Sequence, residues 1–348
     1  MSFQFFEYTE KEHSQWNEFV LSHPHGSIHQ VSEWKDFQKQ IPGRETVLGF
    51  GVRENSSHKI LAVTFCVQMQ TGFAGQYWWY SARGPIFDPQ KNSDAGLFLM
   101  QEIHQRLQKK GGMFWRIDPY FSKKEWQHLE KKYRSLFLKK AIQNYQPTDT
   151  LEIDLTQSDE NILAQMKRKG RYNIKLAQKK GVRIQVLEKG KCTSQDMKDF
   201  WRLNQETTSR DRFSGHEKSY YEKFLNTLSD YAVLFFAEYE GERIATAIST
   251  FCGKKAIYYF GASTSNSEYR NLMAPYLLQW EMMQYGKKRQ CHTYDFLGIA
   301  PEGEEDHPYS GISEFKWKFG GERRTYAPGH EIVLNTLWYT LYRIAKLV

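Results

Sequence analysis

Cysteine is scarce in this chain. Its 348 residues include four, Cys66, Cys192, Cys252 and Cys291, far apart and with no CxxC pair. That excludes a disulfide framework and a thiolate zinc site, and the four read as isolated thiols of a reducing compartment. Three of the 11 histidines, His23, His25 and His29, lie close together, but no Cys or carboxylate shares a helix-face spacing with them. No metal is therefore expected. The chain opens on MSFQFFEYTE, which lacks a basic segment followed by an apolar one, so no secretory signal is read and a cytoplasmic location is expected. Long apolar runs are missing as well. The uncharged stretch 60–82 contains Gln68, Gln70, Thr71, Gly72, Gly75 and Gln76, and reads as two strands around a glycine turn instead of a membrane span. There is no GxxxxGKS loop for a nucleoside triphosphate.

Aromatic residues and basic charge are plentiful. Phe, Trp and Tyr make up 16% of the chain and hydrophobic residues 40%, the composition of a folded protein. At roughly 150 residues per domain the length suggests two domains. The net charge is +8, from 48 basic and 40 acidic residues, and it is unevenly spread. Between Asp159 and Arg183 eight bases face two acids, a local +6 that leaves only +2 for everything else.

Two stretches repeat one order of elements. In the first, strands are expected at 46–53, 59–70 and 76–81, a helix at 97–110 stopped by Gly111 and Gly112, and a closing strand at 113–118. In the second, strands are expected at 231–239, 243–252 and 256–260, a helix at 275–288 and a closing strand at 292–296, with Glu240 and Gly241 forming a hairpin turn. Matching positions stand 177 to 180 residues apart (Asp118 and Asp295, Tyr80 and Phe260). The order predicts two similar domains of mixed α/β sheets from an internal duplication.

The basic segment predicts a helix over 159–181, capped by Ser158 or Asp159 and stopped by Gly181. Leu163, Met166, Gly170, Ile174 and Ala177 form an apolar seam, and Lys167, Arg171, Lys175 and Lys179, four apart, a basic stripe beside it. Gly170 costs a helix about 1 kcal/mol relative to Ala, which implies close packing there or a kink between two shorter helices. A solvated face is the ordinary meaning of such a stripe. Its lack of interleaved acids points further, to a phosphate-bearing partner that relieves the repulsion and releases counterions.

Several motifs then fall in a fixed order: GSIHQVSEW (26–34), ARGPI (82–86), RIDP (116–119), KRKGRYNIKLAQKKGV (167–182), YYFGAS (258–263), NLMAPYLLQWEMMQYGKK (271–288), YDFLGI (294–299) and EFKWKFGGE (314–322). Together they resemble the Fem family of aminoacyl-tRNA-dependent peptidyltransferases, which build the interpeptide bridges of bacterial peptidoglycan. The resemblance implies two tandem GNAT-like acyltransferase domains, the first over 1–148 completed by a C-terminal segment 323–348, the second over 149–322. It implies two substrates, aminoacyl-tRNA and a stem-peptide acceptor, either UDP-MurNAc-pentapeptide or lipid II, with no cofactor. A monomer is expected. Residues 186–231 carry no sustained heptads, so this chain resembles the compact members without a coiled-coil arm. The Q/RxxGxG/A loop with which acetyl-CoA-dependent relatives hold pyrophosphate is not found: QKKGGM at Gln108 and QKKGVR at Gln178 both lack its last small residue.

Site residues follow from the same resemblance. Lys316 matches the lysine proposed to stabilise the tetrahedral intermediate, and Phe315 beside it would stack on the terminal adenine of the tRNA. By pattern alone FKWKF reads equally as a strand with lysines out and aromatics in. Arg210 matches the position that grips the nucleotide-linked substrate, and Tyr258 a tyrosine that contacts the muropeptide. A second family tyrosine falls at Phe260, and a family lysine at Gln38, where Lys35 or Lys39 stands as a replacement. Asp118 and Asp295 end equivalent strands and are expected to orient or deprotonate the amine, or else to cap a turn. Lys167, Arg171, Lys175 and Lys179 are the tRNA-binding candidates.

Residues 331–348 read as an amphipathic helix with Leu334, Leu337, Trp338, Leu341, Ala345 and Val348 on its apolar face. Docking on the protein's own core is the expectation, and peripheral contact with the inner membrane face the alternative. Two other functions fit parts of the pattern: an acyltransferase with a different donor or acceptor, and a tRNA-binding protein without chemistry.

Overall fold

The computed structural model describes residues 2–304 and 306–347. Its strands are β1 (Phe3–Glu7), β2 (Val47–Glu54), β3 (Ile60–Gln70), β4 (Tyr77–Ala82), β5 (Ile86–Phe87), β6 (Phe114–Asp118), β7 (Lys139–Lys140), β8 (Asp149–Asp154), β9 (Arg183–Leu187), β10 (Ala232–Tyr239), β11 (Glu242–Cys252), β12 (Lys255–Ser263), β13 (Thr293–Gly298), β14 (Glu322–Thr325) and β15 (His330–Val333). Its helices are α1 (His13–Ser22), α2 (Ser32–Lys39), α3 (Ser93–Lys110), α4 (Lys123–Lys132), α5 (Asp159–Gln165), α6 (Arg168–Lys179), α7 (Ser194–Asp211), α8 (Lys218–Thr227), α9 (Ser267–Arg270), α10 (Ala274–Lys288), α11 (Ser310–Lys316) and α12 (Thr336–Leu347). Two compact units result, one from the chain up to Thr148 with the segment from Thr325 onward, the other from Asp149 to Arg324.

Each unit is built on a mixed sheet. The first runs β1-β2-β3-β4-β6-β15-β7 and the second β14-β8-β13-β12-β11-β10-β9. In both, three antiparallel strands are followed by a helix, α3 or α10, and by a strand that returns parallel to the third, β4 with β6 and β12 with β13. The repeat read from the sequence is thus a repeat of topology. Parallel pairing needs a crossover, and the helix supplies it. The expected hairpin turn is present, with Glu240 at φ 51° and Gly241 at φ 84°, a left-handed pair whose twist suits two-residue hairpins. The stretch 60–82 folds as β3 and β4, as expected. Helices cover the sheets, so strand residues such as Trp79, Trp115, Phe235 and Tyr294 are almost fully buried.

Three local expectations are corrected. The helix expected over 159–181 is two helices, because Met166 and Lys167 adopt extended ψ values near 147° and break it. The kink is therefore at Met166 and Lys167, while Gly170 serves the other purpose, close packing. A Cβ at residue 170 would collide with the carbonyl oxygen of Lys318. The FKWKF segment is no strand: it ends α11 and continues as a 3-10 turn, Trp317–Phe319, which turns Lys316 inward. At the C-terminal end, residues 330–333 pair with β6 as β15, and the helix starts only at Thr336. Its docking face is Tyr339 and Tyr342, packed on Phe114, whereas Leu337 and Leu341 of the expected face point outward. Val348 lies outside the described residues.

Candidate active site and nucleic-acid face

The second unit opens at the end of its parallel strand pair. β12 and β13 pair over only three positions, Lys255 with Thr293 to Ile257 with Asp295, and both then become irregular. β12 carries a bulge opposite Ile248 and Ser249, and β13 one between Asp295 and Gly298, with Leu297 at φ 58°. Bulges of this kind re-aim side chains and recur beside active sites. Tyr258 is the first residue past the paired stretch. Its ring meets Phe296, and its hydroxyl has no hydrogen-bond partner among the described residues. Burial pushes this phenol up to about 12. Phe260 packs elsewhere, among His216, Tyr220, Tyr221 and Phe224, in an all-aromatic cluster that needs no hydroxyl.

Lys316 lies at this opening. It is 6% exposed, and its Nζ donates to the Gly298 carbonyl oxygen at 2.6 Å. Burial lowers its ammonium from the usual 10.5 to about 8, against an upward pull from the carboxylate of Asp295. One hydrogen of the ammonium is committed, and two remain for a ligand. Asp295 is fully buried, and its Oδ1 accepts from the Leu297 N–H at 2.7 Å, so it fixes the bulge that ends β13. Phe315 is half-buried, edge-on to Tyr276 and Phe319 at 5.1 and 5.3 Å between centroids.

The basic helix α6 is fastened to this same turn. The Lys167 N–H donates to the Lys318 carbonyl at 3.0 Å, and Gly170 lies against that carbonyl. Gly320, at φ 76°, leaves room for the Gln165 carbonyl at the end of α5. The seam expected from the sequence is the buried side of α5 and α6, with Met166, Gly170, Ile174 and Ala177 inside and Leu163 half-buried. Lys167, Lys175 and Lys179 are exposed, as are Arg168 and Lys169. Arg171 is spent differently: its guanidinium caps α5, donating to the carbonyls of Leu163, Ala164 and Met166. Sequence reasoning missed Tyr172, which is 62% exposed on the charged side of α6. The signal is an aromatic ring off the apolar seam.

The remaining candidates are scattered among their own local partners. Arg210, near the end of α7, gives its fork to Asp211 at 2.8 and 2.9 Å and its other nitrogen to the carbonyls of Ser263 and Thr264 at 3.1 and 3.3 Å. In the first unit Asp118 is 2% exposed, and its Oδ2 accepts from the Tyr80 hydroxyl at 2.6 Å. Its Oδ1 has no hydrogen-bond partner among the described residues, and burial raises its carboxyl above the usual range. Lys35 is not a free replacement for the missing lysine, since it is buried and paired with Glu10 and Asp36 at 2.6 and 3.2 Å. Lys39 is exposed.

Two tandem units, each a mixed α/β sheet with one helix-linked parallel strand pair, define the tandem GNAT-like fold. The FemAB family model matches residues 9–139, 135–250 and 236–347, and the chain belongs to that family. It is 23% identical to a lipid II:glycine glycyltransferase of Staphylococcus epidermidis over 94% of this chain and 93% of the relative. To the enzyme of the same name from Staphylococcus aureus it is 22% identical, over 97% and 94%. Among solved structures it resembles FemX, with a TM-score of 0.85 at 20% identity over 97% of this chain and 99% of that one. It also resembles a tandem GNAT protein of the clavulanic acid pathway, with a TM-score of 0.56 at 9% identity over 96% and 99%. Family and relatives together make the chain an aminoacyltransferase.

Proposed function

We propose that this chain transfers the aminoacyl group of an aminoacyl-tRNA to the stem peptide of a peptidoglycan precursor, UDP-MurNAc-pentapeptide or lipid II. The observation that carries the reading is the junction of α6 with the Lys316 turn: an exposed basic face and a buried lysine with two spare hydrogens share one rigid contact. The relatives named lipid II:glycine glycyltransferase support the acceptor class.

The reaction asks for alignment and charge stabilisation. The acceptor amine, as free base, attacks the ester carbonyl of the charged tRNA. A C–N bond forms, the carbonyl oxygen takes negative charge, and collapse breaks the ester C–O bond as the proton leaves nitrogen for the departing ribose oxygen. A cation held in a water-poor site stabilises the oxyanion far better than one in water. Lys316 takes that role. Lys167, Lys175 and Lys179 hold the acceptor-arm phosphates, and Tyr172 or Phe315 stacks on an unpaired base. Arg171 acts through the helix it caps. Tyr258 faces the acceptor peptide, Asp295 acts through the bulge it fixes and its charge on Lys316, and Arg210 reaches a diphosphate only by exchanging Asp211 for it.

The test is transfer of a radiolabelled amino acid from charged tRNA to each acceptor. Transfer that requires the amino acid to be on tRNA supports the reading, and no transfer of Ala, Gly or Ser to either acceptor overturns it. Equal binding of charged and uncharged tRNA, with no transfer, would leave a binding protein without chemistry.

A further inference from the structure

Helix α12 covers the first unit with one face and leaves another bare. Tyr339 and Tyr342, 1% and 7% exposed, pack on Phe114. Leu337, Leu341 and Ile344, at four- and three-residue steps on the outer side, are 66%, 40% and 56% exposed. Three large aliphatic side chains in one exposed row exceed the scattered single residues that a soluble surface ordinarily carries.

The surroundings of the row are basic. The helix carries Arg343 and Lys346 and no acid. Beside it lies β7, Lys139–Lys140, both residues exposed, tied to the helix by Arg343 donating to the Lys140 carbonyl at 3.4 Å and by the Lys139 ammonium 5.2 Å from the Tyr339 ring centre. Glu331, the acid nearest Arg343 at 3.6 Å, is fully buried and also pairs with Arg116, so it does not offset the outward charge. Two residues before β7, Phe137 is 80% exposed at φ 48°, and Lys131 and Arg134 just upstream are exposed as well.

We infer that this face of the first unit docks on an anionic lipid surface, with Leu337, Leu341, Ile344 and Phe137 entering the headgroup region and Lys139, Lys140, Arg343 and Lys346 meeting lipid phosphates. An amphipathic helix of this make-up lies in the plane of a membrane interface, and each nearby base adds attraction to anionic headgroups. A protein partner would be met by the apolar row alone. The basic border is what selects lipid, with Glu130, 3.6 Å from His330, as an exposed acid at its side. The proposal stands apart from the donor and acceptor of the transfer reaction.

Cosedimentation of the full chain with sucrose-loaded vesicles tests it, using phosphatidylcholine alone and a seven-to-three mixture with phosphatidylglycerol. The chain is expected to bind the mixed vesicles at least fivefold more tightly than the neutral ones, with binding weakened by salt. Leu341→Ser with Ile344→Ser, and separately Lys139→Ala with Lys140→Ala, should each lower binding about fivefold or more. Because all four side chains are exposed, thermal melts should be unchanged, and a variant that melts early is replaced by Leu337→Ser. A wild-type chain that stays in the supernatant with the mixed vesicles overturns the proposal, as does a Leu341, Ile344 variant that binds like wild type. A lipid-free dimer that those substitutions convert to monomer would also overturn it, by assigning the row to a second copy.

Discussion

Replacing Lys316 by Met should make the protein more stable at neutral pH while destroying its activity. An unfolded lysine titrates near 10.5 and the folded Lys316 near 8. Below pH 8 both states hold the proton, and the folded state bears the whole cost of a buried charge. Above 10.5 neither is charged and the cost is gone, so wild-type stability should rise between these values. The shift of 10.5 minus 8, at about 1.4 kcal/mol per unit, bounds the cost at about 3 to 4 kcal/mol. Met removes that cost and also the hydrogen bond to the Gly298 carbonyl, which contributes about 1 kcal/mol. Lys316→Met should therefore be more stable than wild type by about 2 to 3 kcal/mol at pH 7 and less stable by about 1 kcal/mol above pH 10.5. Guanidinium unfolding at the two pH values measures this. A variant less stable than wild type at pH 7, or a difference that ignores pH, refutes the electrostatic argument. Transfer should fall by about 10² to 10³, the usual loss when an oxyanion donor is removed. Wild-type transfer should also decline as pH rises through 8. Full activity in the variant would remove Lys316 from the chemistry.

Three further outcomes separate structure from recognition. Arg171→Ala strips the cap from α5 and should cost about 1.5 kcal/mol in denaturant unfolding, whereas Lys175→Ala with Lys179→Ala should leave stability unchanged. Only the lysine pair should flatten the salt dependence of tRNA binding, by a slope of about 0.8 for each phosphate no longer neutralised. Gly170→Ala sets a helix-propensity gain of about 1 kcal/mol against a collision with the Lys318 backbone. The collision should win, lowering both the melting temperature and the transfer rate, since the turn that carries Lys316 must move. Glu331→Gln leaves the Arg116 guanidinium buried without its neutralising carboxylate and should destabilise the first unit by about 3 kcal/mol, read from its unfolding.

Local periodicity makes much of this legible in advance. The meander, helix and closing strand of each half, the glycine hairpin at Glu240 and Gly241, and the buried seam along α6 all follow from spacings of two or four residues. What the spacings do not carry is the identity of distant partners. Arg210 gives its fork to the neighbouring Asp211, but the carbonyls that hold its other nitrogen are more than 50 residues away, so that second engagement does not show in the sequence. Lys316 reads as an outward lysine of a strand until the Gly298 carbonyl is placed beside it. The start of the C-terminal helix is hidden because Glu331 is buried among polar partners, Arg116 and the Tyr339 hydroxyl, and a strand that buries a glutamate has no apolar alternation to display. Tyr172 escapes for the opposite reason. Its exposed ring sits where periodicity assigns charge.

The placement of β15 bears on how this protein comes into being. Arg116 on β6 and Glu331 on β15 are 215 residues apart, yet they complete one buried pair on one sheet. A ribosome delivers β6 long before its partner, so the nascent first unit must wait with an open sheet edge and an uncompensated guanidinium. The second unit, drawn from one continuous stretch, is free to close in the meantime. A product cut short before residue 330 would keep the whole second unit and still lack a finished first one. The order of synthesis thus makes the last strand a check that translation has run through to the end of the fold.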